Sequence, residues 1–196
     1  MPEQMGVADE EALKPVSFWF LRHGQTDWNA RDLAQGRVDI PLNAKGLAQA
    51  EAAATMLQGR GIASITASPI PRARVTAEIV AKALGIPVVI DDDLQEVAYG
   101  AQEGTPMTEW FTQWIAGQFT PEGGESFAAL RARAVRAVNR ALARPSLVLI
   151  VAHGGFFRAL RAAMGLDPHM RAGNAIPMLC CPPRAGERSW RLEIAT

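Results

Sequence analysis

Two short apolar runs without polar alternation mark the chain, at 16–21 and at 147–152. Such runs are typical of strands that are buried on both faces of a largely parallel sheet. Arg22 and His23 directly follow the first run, and His153 directly follows the second. Ligands of such sheets bind beyond the carboxyl ends of the strands. We therefore expect the two histidines to share one crevice, and the chemistry of the protein to take place there.

Apolar residues at helical spacing predict helices between and after these strands. The helices are expected at 43–58, 71–84, 126–141 and 155–164, and further strands at 62–67, 87–90, 175–181 and 189–194. The first helix is expected to bury Leu47, Ala50, Ala54 and Leu57. This alternation indicates a three-layer α/β/α sandwich around a mostly parallel central sheet.

The helix that starts near residue 71 adds a third group to the crevice. Pro71 suits the first position of a helix, because its missing N–H would have no partner there. Arg72 then lies in the first turn, close to the positive end of the helix dipole. Together with Arg22 and the two histidines, it predicts a site for an anion of about the size of phosphate.

Composition narrows the class of protein. The chain has 196 residues, is 48% hydrophobic and has a formal net charge of zero. It suits one domain, and neither nucleic acid nor a membrane surface is indicated as a partner. The only cysteines, Cys180 and Cys181, are adjacent, so they form no disulfide framework, which favours a reducing compartment.

The N-terminal segment is acidic and lacks the apolar core of a signal peptide. We interpret residues 1–15 as a flexible extension, 16–196 as the folded domain, and the protein as cytoplasmic. The helix after Ser126 carries arginines that we interpret as its solvated face, namely Arg131, Arg133, Arg136, Arg140 and Arg144.

The segment 98–125 departs from the alternation of strands and helices. It holds five aromatic residues: Tyr99, Trp110, Phe111, Trp114 and Phe119. We expect these residues to form the core of a small helical excursion. A compatible interpretation makes this excursion a cap over the crevice, in contact with the organic part of a substrate.

The stretch Leu21-Arg22-His23-Gly24-Gln25-Thr26-Asp27-Trp28-Asn29 resembles the signature of the histidine phosphatase superfamily, also called the phosphoglycerate mutase-like family. The resemblance continues in family order as far as about residue 160. Its further parts are Gln35-Gly36, Pro41-Leu42-Asn43, Ser68-Pro69, Arg72-Ala73, Thr76-Ala77, Leu94-Gln95-Glu96, Gly100, Glu103-Gly104, Gly123-Gly124-Glu125-Ser126 and Val151-Ala152-His153-Gly154.

The resemblance implies a role for each matching residue. His23 would take up the phosphoryl group and form a phosphohistidine, for which its imidazole must be neutral and its other ring nitrogen held by a partner such as a backbone carbonyl. Glu96 would carry the proton, with Glu103 as the alternative. The phosphate would be bound by Arg22, Arg72, an imidazolium at His153, Asn29, Gln35, Gly36 and Gly154. Neither a metal nor another cofactor is implied.

Three functions are compatible with these residues. The first is a metal-independent phosphomonoester hydrolase that acts on a small phosphorylated metabolite. The second is a cofactor-dependent phosphoglycerate mutase, which resembles longer chains, whereas only 56 residues lie between Glu96 and His153. The third is an inactive phosphate-binding or interaction module. The sequence does not identify the substrate, and it leaves a homodimer open.

Overall fold

The structure is a computed structural model that describes residues 11–195. The strands of its sheet are β1 (Phe18–Arg22), β2 (Ser64–Ala67), β3 (Val88–Ile90), β4 (Val148–Ala152), β5 (Met178–Cys181) and β6 (Arg191–Ile194). Their order in the sheet is β3-β2-β4-β1-β5-β6. β1 to β4 are parallel to one another, while β5 is antiparallel to both β1 and β6.

Helices cover both faces of this sheet. They are α1 (Asp27–Ala30), α2 (Ala44–Leu57), α3 (Pro71–Leu84), α4 (Glu109–Ile115), α5 (Phe127–Ala141) and α6 (Gly154–Ala163), with 3₁₀ turns at Asp92–Leu94 and Gly100–Gln102. α2 packs with α3, and α5 packs with α6. None of the helices between residues 11 and 195 has the length and apolar character needed to traverse a bilayer.

The central strands are apolar throughout because alternate side chains enter two different cores. Phe18 and Phe20 of β1 belong to the core that includes residues of α5 and α6. Trp19 and Leu21 belong to the core that includes residues of α2 and α3. Burial on both faces explains the lack of polar alternation in the sequence. The predicted three-layer α/β/α sandwich is confirmed.

The ends of most helices lie within a few residues of their predicted positions. The side chain of Asn43 caps α2 by accepting from the Gly46 amide at 2.9 Å, and Ser126 caps α5. The predicted burial of Leu47 is wrong, since 42% of this residue is exposed. Gly46 faces inward instead, so close to the loop before it that a Cβ would lie 2.1 Å from the Gln25 carbonyl oxygen.

The folded part of the chain starts earlier than predicted. The first ten residues of the expected extension 1–15 lie outside the described residues. Lys14, however, donates its amide to the Asn139 side chain of α5 at 2.9 Å, and that side chain donates to the Ala12 carbonyl at 2.9 Å. Leu13 packs against the α5–α6 core. Residues 12–14 are therefore packed against the domain, which the boundary at residue 16 left out.

The aromatic segment 98–125 adds to the same core. Trp114 is fully buried, and its indole N–H donates to the Glu125 carbonyl at 2.9 Å. Its ring meets those of Tyr99 and Phe127 edge-on, with centroids 5.3 and 5.1 Å apart. Edge-to-face aromatic pairs of this kind stabilise a core beyond the area that they bury.

Arg133 corrects the expectation that the arginines of α5 are all solvated. It is buried, and its Nε and Nη2 donate to the two carboxylate oxygens of Glu125 at 2.9 and 2.7 Å. Its Nη1 donates to the Asp93 and Gln95 carbonyls at 2.7 and 2.8 Å. Position 133 lies one turn from the buried Leu130. The periodicity that placed Leu130 inward thus applied to Arg133 as well.

We expect Arg133→Met to lower the free energy of unfolding by on the order of 2–4 kcal/mol, because it leaves a partly buried carboxylate and two carbonyls without their donor. Arg136→Met, at an exposed position of the same helix, should change it by less than about 0.5 kcal/mol. Urea denaturation of both variants measures the difference. Equal losses would show that the buried hydrogen bonds contribute nothing specific.

Candidate active site

The predicted crevice lies at the carboxyl ends of the central strands. β1 and β4 pair so that Arg22 lies opposite Ala152, and the His23 amide donates to the Ala152 carbonyl at 3.0 Å. The two residues that follow the strands, His23 and His153, are thus neighbours, with ring centroids 5.3 Å apart. The crevice is lined by Arg22, His23, Asn29, Leu33, Ala34, Gln35, Arg72, Glu96, Tyr99, Met107, Phe111, Gly154, Gly155, Arg158 and Arg171.

The His23 ring is held by the carbonyl that the sequence analysis expected. Its Nδ1 lies 2.7 Å from the Gly24 carbonyl oxygen, which can only accept, so Nδ1 carries the proton and Nε2 has the free lone pair. Burial lowers the pKa of His23 well below its usual 6.5, and the nearby Arg72 and Arg22 lower it further. The imidazole is therefore neutral near pH 7.

Gly24 can hold this ring because the loop packs tightly on α2. A Cβ on Gly24 would lie 2.3 Å from the Gly46 carbonyl oxygen, so no larger residue fits without moving backbone. The Gly24 amide donates to Thr76 Oγ1 of α3 at 3.1 Å, and that hydroxyl donates to the Arg72 carbonyl at 2.8 Å. The loop that holds the His23 ring is thereby fixed against both helices of one layer.

Three buried nitrogens of this site have no hydrogen-bond partner among the described residues. They are Nε of Arg22, Nε of Arg72 and Nδ1 of His153. Both arginines are almost fully buried, and burial lowers the pKa of Arg22 to about 10 while leaving it charged near pH 7. A buried cationic donor without a partner is costly. The arrangement therefore favours an oxyanion at this point.

Backbone carbonyls hold the two arginines in place. Arg72 donates from Nη1 to the Val38 carbonyl at 2.8 Å and from Nη2 to the Gly36 carbonyl at 2.6 Å, while Arg22 donates from Nη1 to the Ala172 carbonyl at 2.8 Å. Gly36, expected to bind phosphate, is not among the residues that line the crevice. The Gly36 carbonyl instead accepts a hydrogen bond from Arg72 and orients its side chain.

His153 is packed beside His23 and is not among the residues that line the crevice. It is fully buried, and its Nε2 is 2.7 Å from the Ser68 hydroxyl. Burial lowers its pKa well below 6.5, with repulsion from Arg72 as the next cause. The expected imidazolium is therefore not the form of the free protein near pH 7. A bound anion beside Nδ1 would favour the protonated form.

Glu96 reaches the crevice and is fixed by backbone donors. Its Oε1 accepts from the Phe156 and Val97 amides at 2.7 and 3.0 Å, and its Oε2 accepts from the Gly155 amide at 2.9 Å. Oε2 thus keeps one more lone pair than Oε1. Glu103, the alternative proton carrier, does not line the crevice, and its Oε1 accepts from the Arg37 and Tyr99 amides at 2.9 and 3.2 Å.

Polar residues on the other side of the crevice complete its wall. Asn29 forms a capping box with Thr26 at the start of α1, and its Oδ1 also accepts from the Asn174 amide group at 3.1 Å. Gln35 accepts from the Thr26 hydroxyl at 2.9 Å. Asn174 also donates to the His23 carbonyl at 3.0 Å. The acceptor oxygens of Asn29 and Gln35 are thus engaged, and both residues line the crevice.

Sequence reasoning assigned no role to several residues that hold the site. Ser68 and Thr76 lie within stretches that carry the family resemblance, and both are fully buried. A buried hydroxyl at the end of a strand or inside a helix is a signal that could have pointed to them. Asn174 lies in an irregular segment before β5, where no periodicity marks it.

The described residues contain no group of three or more His, Cys, Asp and Glu side chains that could hold a metal ion. The cationic side chains that line the crevice are arginines. The site as described offers these guanidinium groups, neutral imidazoles and a carboxylate for catalysis.

The comparisons with known proteins agree with this geometry. A family model described as "Histidine phosphatase superfamily (branch 1)" matches residues 18–181. The chain belongs to this superfamily. The family membership that the sequence motifs predict is thus confirmed.

Relatives within the superfamily have different names. A Bacillus subtilis protein named "Uncharacterized phosphatase PhoE" is 34% identical over 175 residues, which cover 88% of this chain and 90% of the relative. A Yersinia enterocolitica protein named "Probable phosphoglycerate mutase GpmB" is 37% identical over 167 residues, which cover 79% of this chain and 77% of the relative. The names of these relatives thus include both a phosphatase and a phosphoglycerate mutase.

A solved structure supports the same fold. Mycobacterial glucosyl-3-phosphoglycerate phosphatase, in a complex with VO3, superposes with a TM-score of 0.75 at 31% sequence identity. The match covers 90% of this chain and 97% of that structure. The arrangement of the sheet and helices is thus that of a histidine phosphatase.

The neutral histidines should make the protein less stable in mild acid. Their pKa values in the folded protein lie below 6.5, so below about pH 6.5 the unfolded chain binds more protons than the folded one. Stability is then lost as pH falls from 6.5 towards the folded pKa values, by up to about 1.4 kcal/mol per pH unit for each histidine.

Urea denaturation at about pH 7 and about pH 5.5 tests this expectation. His153→Asn should lose less stability over this range than the parent protein. His169→Asn, which changes an exposed histidine, should lose as much as the parent. If all three proteins respond equally, the buried histidines are not the source of the pH dependence.

Proposed function

We propose that this protein is a metal-independent phosphomonoester hydrolase that acts through a phosphohistidine on a small phosphorylated metabolite. The observation that carries the proposal is the set of buried nitrogens without partners beside His23, namely those of Arg22, Arg72 and His153. They lie next to a neutral imidazole whose Nε2 lone pair is free. A nucleophile surrounded by donors for equatorial oxygens is what phosphoryl transfer requires.

In the first step, the Nε2 lone pair of His23 attacks phosphorus and the bond from phosphorus to the ester oxygen breaks. Arg22, Arg72 and His153 neutralise charge on the non-bridging oxygens. As the acid of this step, Glu96 transfers a proton from Oε2 to the leaving oxygen. The products of this step are a free alcohol and a phosphohistidine, with Glu96 ionised.

In the second step, water attacks the phosphohistidine. Glu96 accepts the proton of the water, the bond between phosphorus and Nε2 breaks, and inorganic phosphate leaves. The Gly24 carbonyl holds the Nδ1 proton throughout, so the lone pair returns to Nε2. A carboxylate fixed by three backbone amides changes position little between its two tasks.

Hydrolysis is favoured over transfer by the short connection between Glu96 and His153. A mutase must keep its phosphorylated intermediate from water, which favours a larger closing lid. The similarity to PhoE and to glucosyl-3-phosphoglycerate phosphatase supports hydrolysis. Phosphoglycerate mutase is the second candidate, because of the similarity to GpmB. An inactive module is disfavoured, since the proposed nucleophile, arginines and carboxylate are all present in the crevice.

We expect His23→Ala to lower kcat by on the order of 10³-fold or more, because the phosphoryl acceptor is lost. The assay is a panel of phosphomonoesters with EDTA present, together with acid quenching after incubation with labelled substrate. The parent protein should carry an acid-labile, base-stable label, and so should the control His169→Ala. A label that persists in His23→Ala would overturn the assignment of the nucleophile.

The same assay separates the two candidate activities. A phosphatase releases inorganic phosphate without 2,3-bisphosphoglycerate, whereas a cofactor-dependent mutase needs that compound to be primed. Interconversion of phosphoglycerates that appears only after priming, with little release of phosphate, would favour the mutase.

Glu96→Gln should reveal the proton transfer through the leaving group. With an alkyl phosphate, whose alkoxide is strongly basic, the burst rate of the first step should fall by roughly 10²–10⁴-fold. With p-nitrophenyl phosphate the loss in the burst should be much smaller, because that leaving group needs little protonation. The control Glu103→Gln should show no such dependence. If Glu103→Gln shows it and Glu96→Gln does not, the two roles must be exchanged.

A further inference from the structure

Ser68 carries a buried hydroxyl to which the proposed mechanism gives no task. It directly follows β2, is fully buried, and its Oγ lies 2.7 Å from Nε2 of His153. The Ile70 amide donates to the same Oγ at 3.2 Å. Ile70 directly precedes α3, whose first turn carries Arg72. The Ser68 hydroxyl therefore joins the start of α3 to the second histidine of the site.

The hydroxyl hydrogen of Ser68 has one acceptor among the described residues. The Ile70 amide donates to a lone pair of Oγ, so it cannot receive that hydrogen. Nε2 of His153 is the only other hydrogen-bond partner of Oγ between residues 11 and 195. A buried hydroxyl hydrogen without an acceptor is costly. Ser68 therefore favours the form of His153 in which Nε2 keeps its lone pair and Nδ1 carries the proton.

The two neutral forms of His153 leave different groups without a partner. With the proton on Nδ1, only that N–H is unsatisfied, since Nδ1 has no partner among the described residues. With the proton on Nε2, the hydroxyl hydrogen of Ser68 and the lone pair of Nδ1 are both unsatisfied. An anion beside Nδ1 increases the difference, because its oxygens accept from an N–H and repel a lone pair.

The charged form of His153 is disfavoured for two reasons. Burial lowers the pKa of His153 most, and repulsion from Arg72 and Arg22 lowers it further. An imidazolium would also donate from Nε2 to Oγ of Ser68, which leaves the hydroxyl hydrogen without its acceptor. The charge of a bound anion acts in the opposite direction and favours the imidazolium. The Ser68 hydroxyl opposes that protonation through its own need for an acceptor.

We infer that Ser68 is a positioning residue that keeps a single proton of His153 on Nδ1, where a bound anion accepts it. This inference rests on the proposed function, which supplies the anion. The Ile70 amide then donates to Ser68, the Ser68 hydroxyl donates to Nε2, and Nδ1 donates to the anion. Hydrogen bonds in such a chain strengthen one another. The arginines supply the positive charge, and His153 supplies a hydrogen bond without taking up a proton.

Nuclear magnetic resonance of the histidine rings tests the protonation state directly. The chain has three histidines, so protein labelled with ¹⁵N at histidine gives three sets of ring signals, which His153→Asn and His169→Asn assign. Two-bond ¹H–¹⁵N correlations distinguish Nδ1–H, Nε2–H and the imidazolium. Near pH 7 we expect the neutral Nδ1–H form of His153 in the free protein and with tungstate, a tetrahedral dianion. His23, whose Nδ1 is held by a carbonyl, is the reference for that form.

Ser68→Ala removes the hydroxyl that holds His153. We expect the Nδ1–H form of His153 to lose population, and the Kd of tungstate to rise by about tenfold, as the loss of a hydrogen bond to a charged group would give. Ser68→Cys, with a weaker donor, should have an intermediate effect. The control is Thr66→Val, which removes a buried hydroxyl of β2 that has no partner among the described residues. It should change neither the ring signals nor the Kd.

Each outcome decides one point. A proton on Nε2 in the parent protein, or an imidazolium in its tungstate complex, overturns the inference whether or not any variant folds. An undiminished Nδ1–H form in Ser68→Ala, or an equal loss of tungstate affinity in Thr66→Val, shows that Ser68 has no specific role. A parent protein that has the expected ring form and binds tungstate, but hydrolyses no phosphomonoester, contradicts the proposed function and leaves this inference in place.

Discussion

The hydrogen bond from the His23 amide to the Ala152 carbonyl extends the parallel pairing of β1 and β4 by one residue. Because two parallel strands in register end at the same edge, it places His23 and His153 side by side. The helices that follow the strands place the other side chains of the site around these two histidines. α6 starts at Gly154 and supplies the amides that bind Glu96, while α3 brings Arg72 from the next strand along the sheet. A shift in the register of β1 against β4 would separate every group of the site at once.

Burial lowers the pKa of both kinds of side chain, yet only the imidazoles lose their protons near pH 7. The arginines are close to one another and deeply buried, yet they stay charged because a guanidinium is a very weak acid. The imidazoles have an ordinary pKa close to neutral pH, so the same environment removes their protons. The same buried and positively charged surroundings therefore keep the nucleophilic imidazole neutral and leave the guanidinium groups charged. Backbone carbonyls, instead of acidic side chains, hold the guanidinium groups. Acidic partners would compete with a bound anion.

Much of this arrangement could be predicted because it depends on local patterns. Buried strands, caps such as Asn43 and Ser126, and histidines at strand ends are visible in sequence. The predictions for Leu47 and Arg133 are wrong for the same reason, because they depend on the type of residue more than on its position along the helix. The inward position before Leu47 is a glycine that contacts backbone, and the inward position of α5 is an arginine. Asn174 and the carbonyls of the segment before it depend on contacts between distant parts of an irregular chain, which no periodicity records.

Arg133 couples the position of α5 to that of the segment that precedes Glu96. A single guanidinium joins α5 to the Asp93 and Gln95 carbonyls and to Glu125, on either side of the aromatic excursion. Separation of α5 from the sheet would break all these bonds together and free the segment before Glu96, while the Gly155 and Phe156 amides would still hold the Glu96 carboxylate. A local opening of α5 would thus reach the crevice through this segment, although α5 itself contributes no residue to the crevice wall.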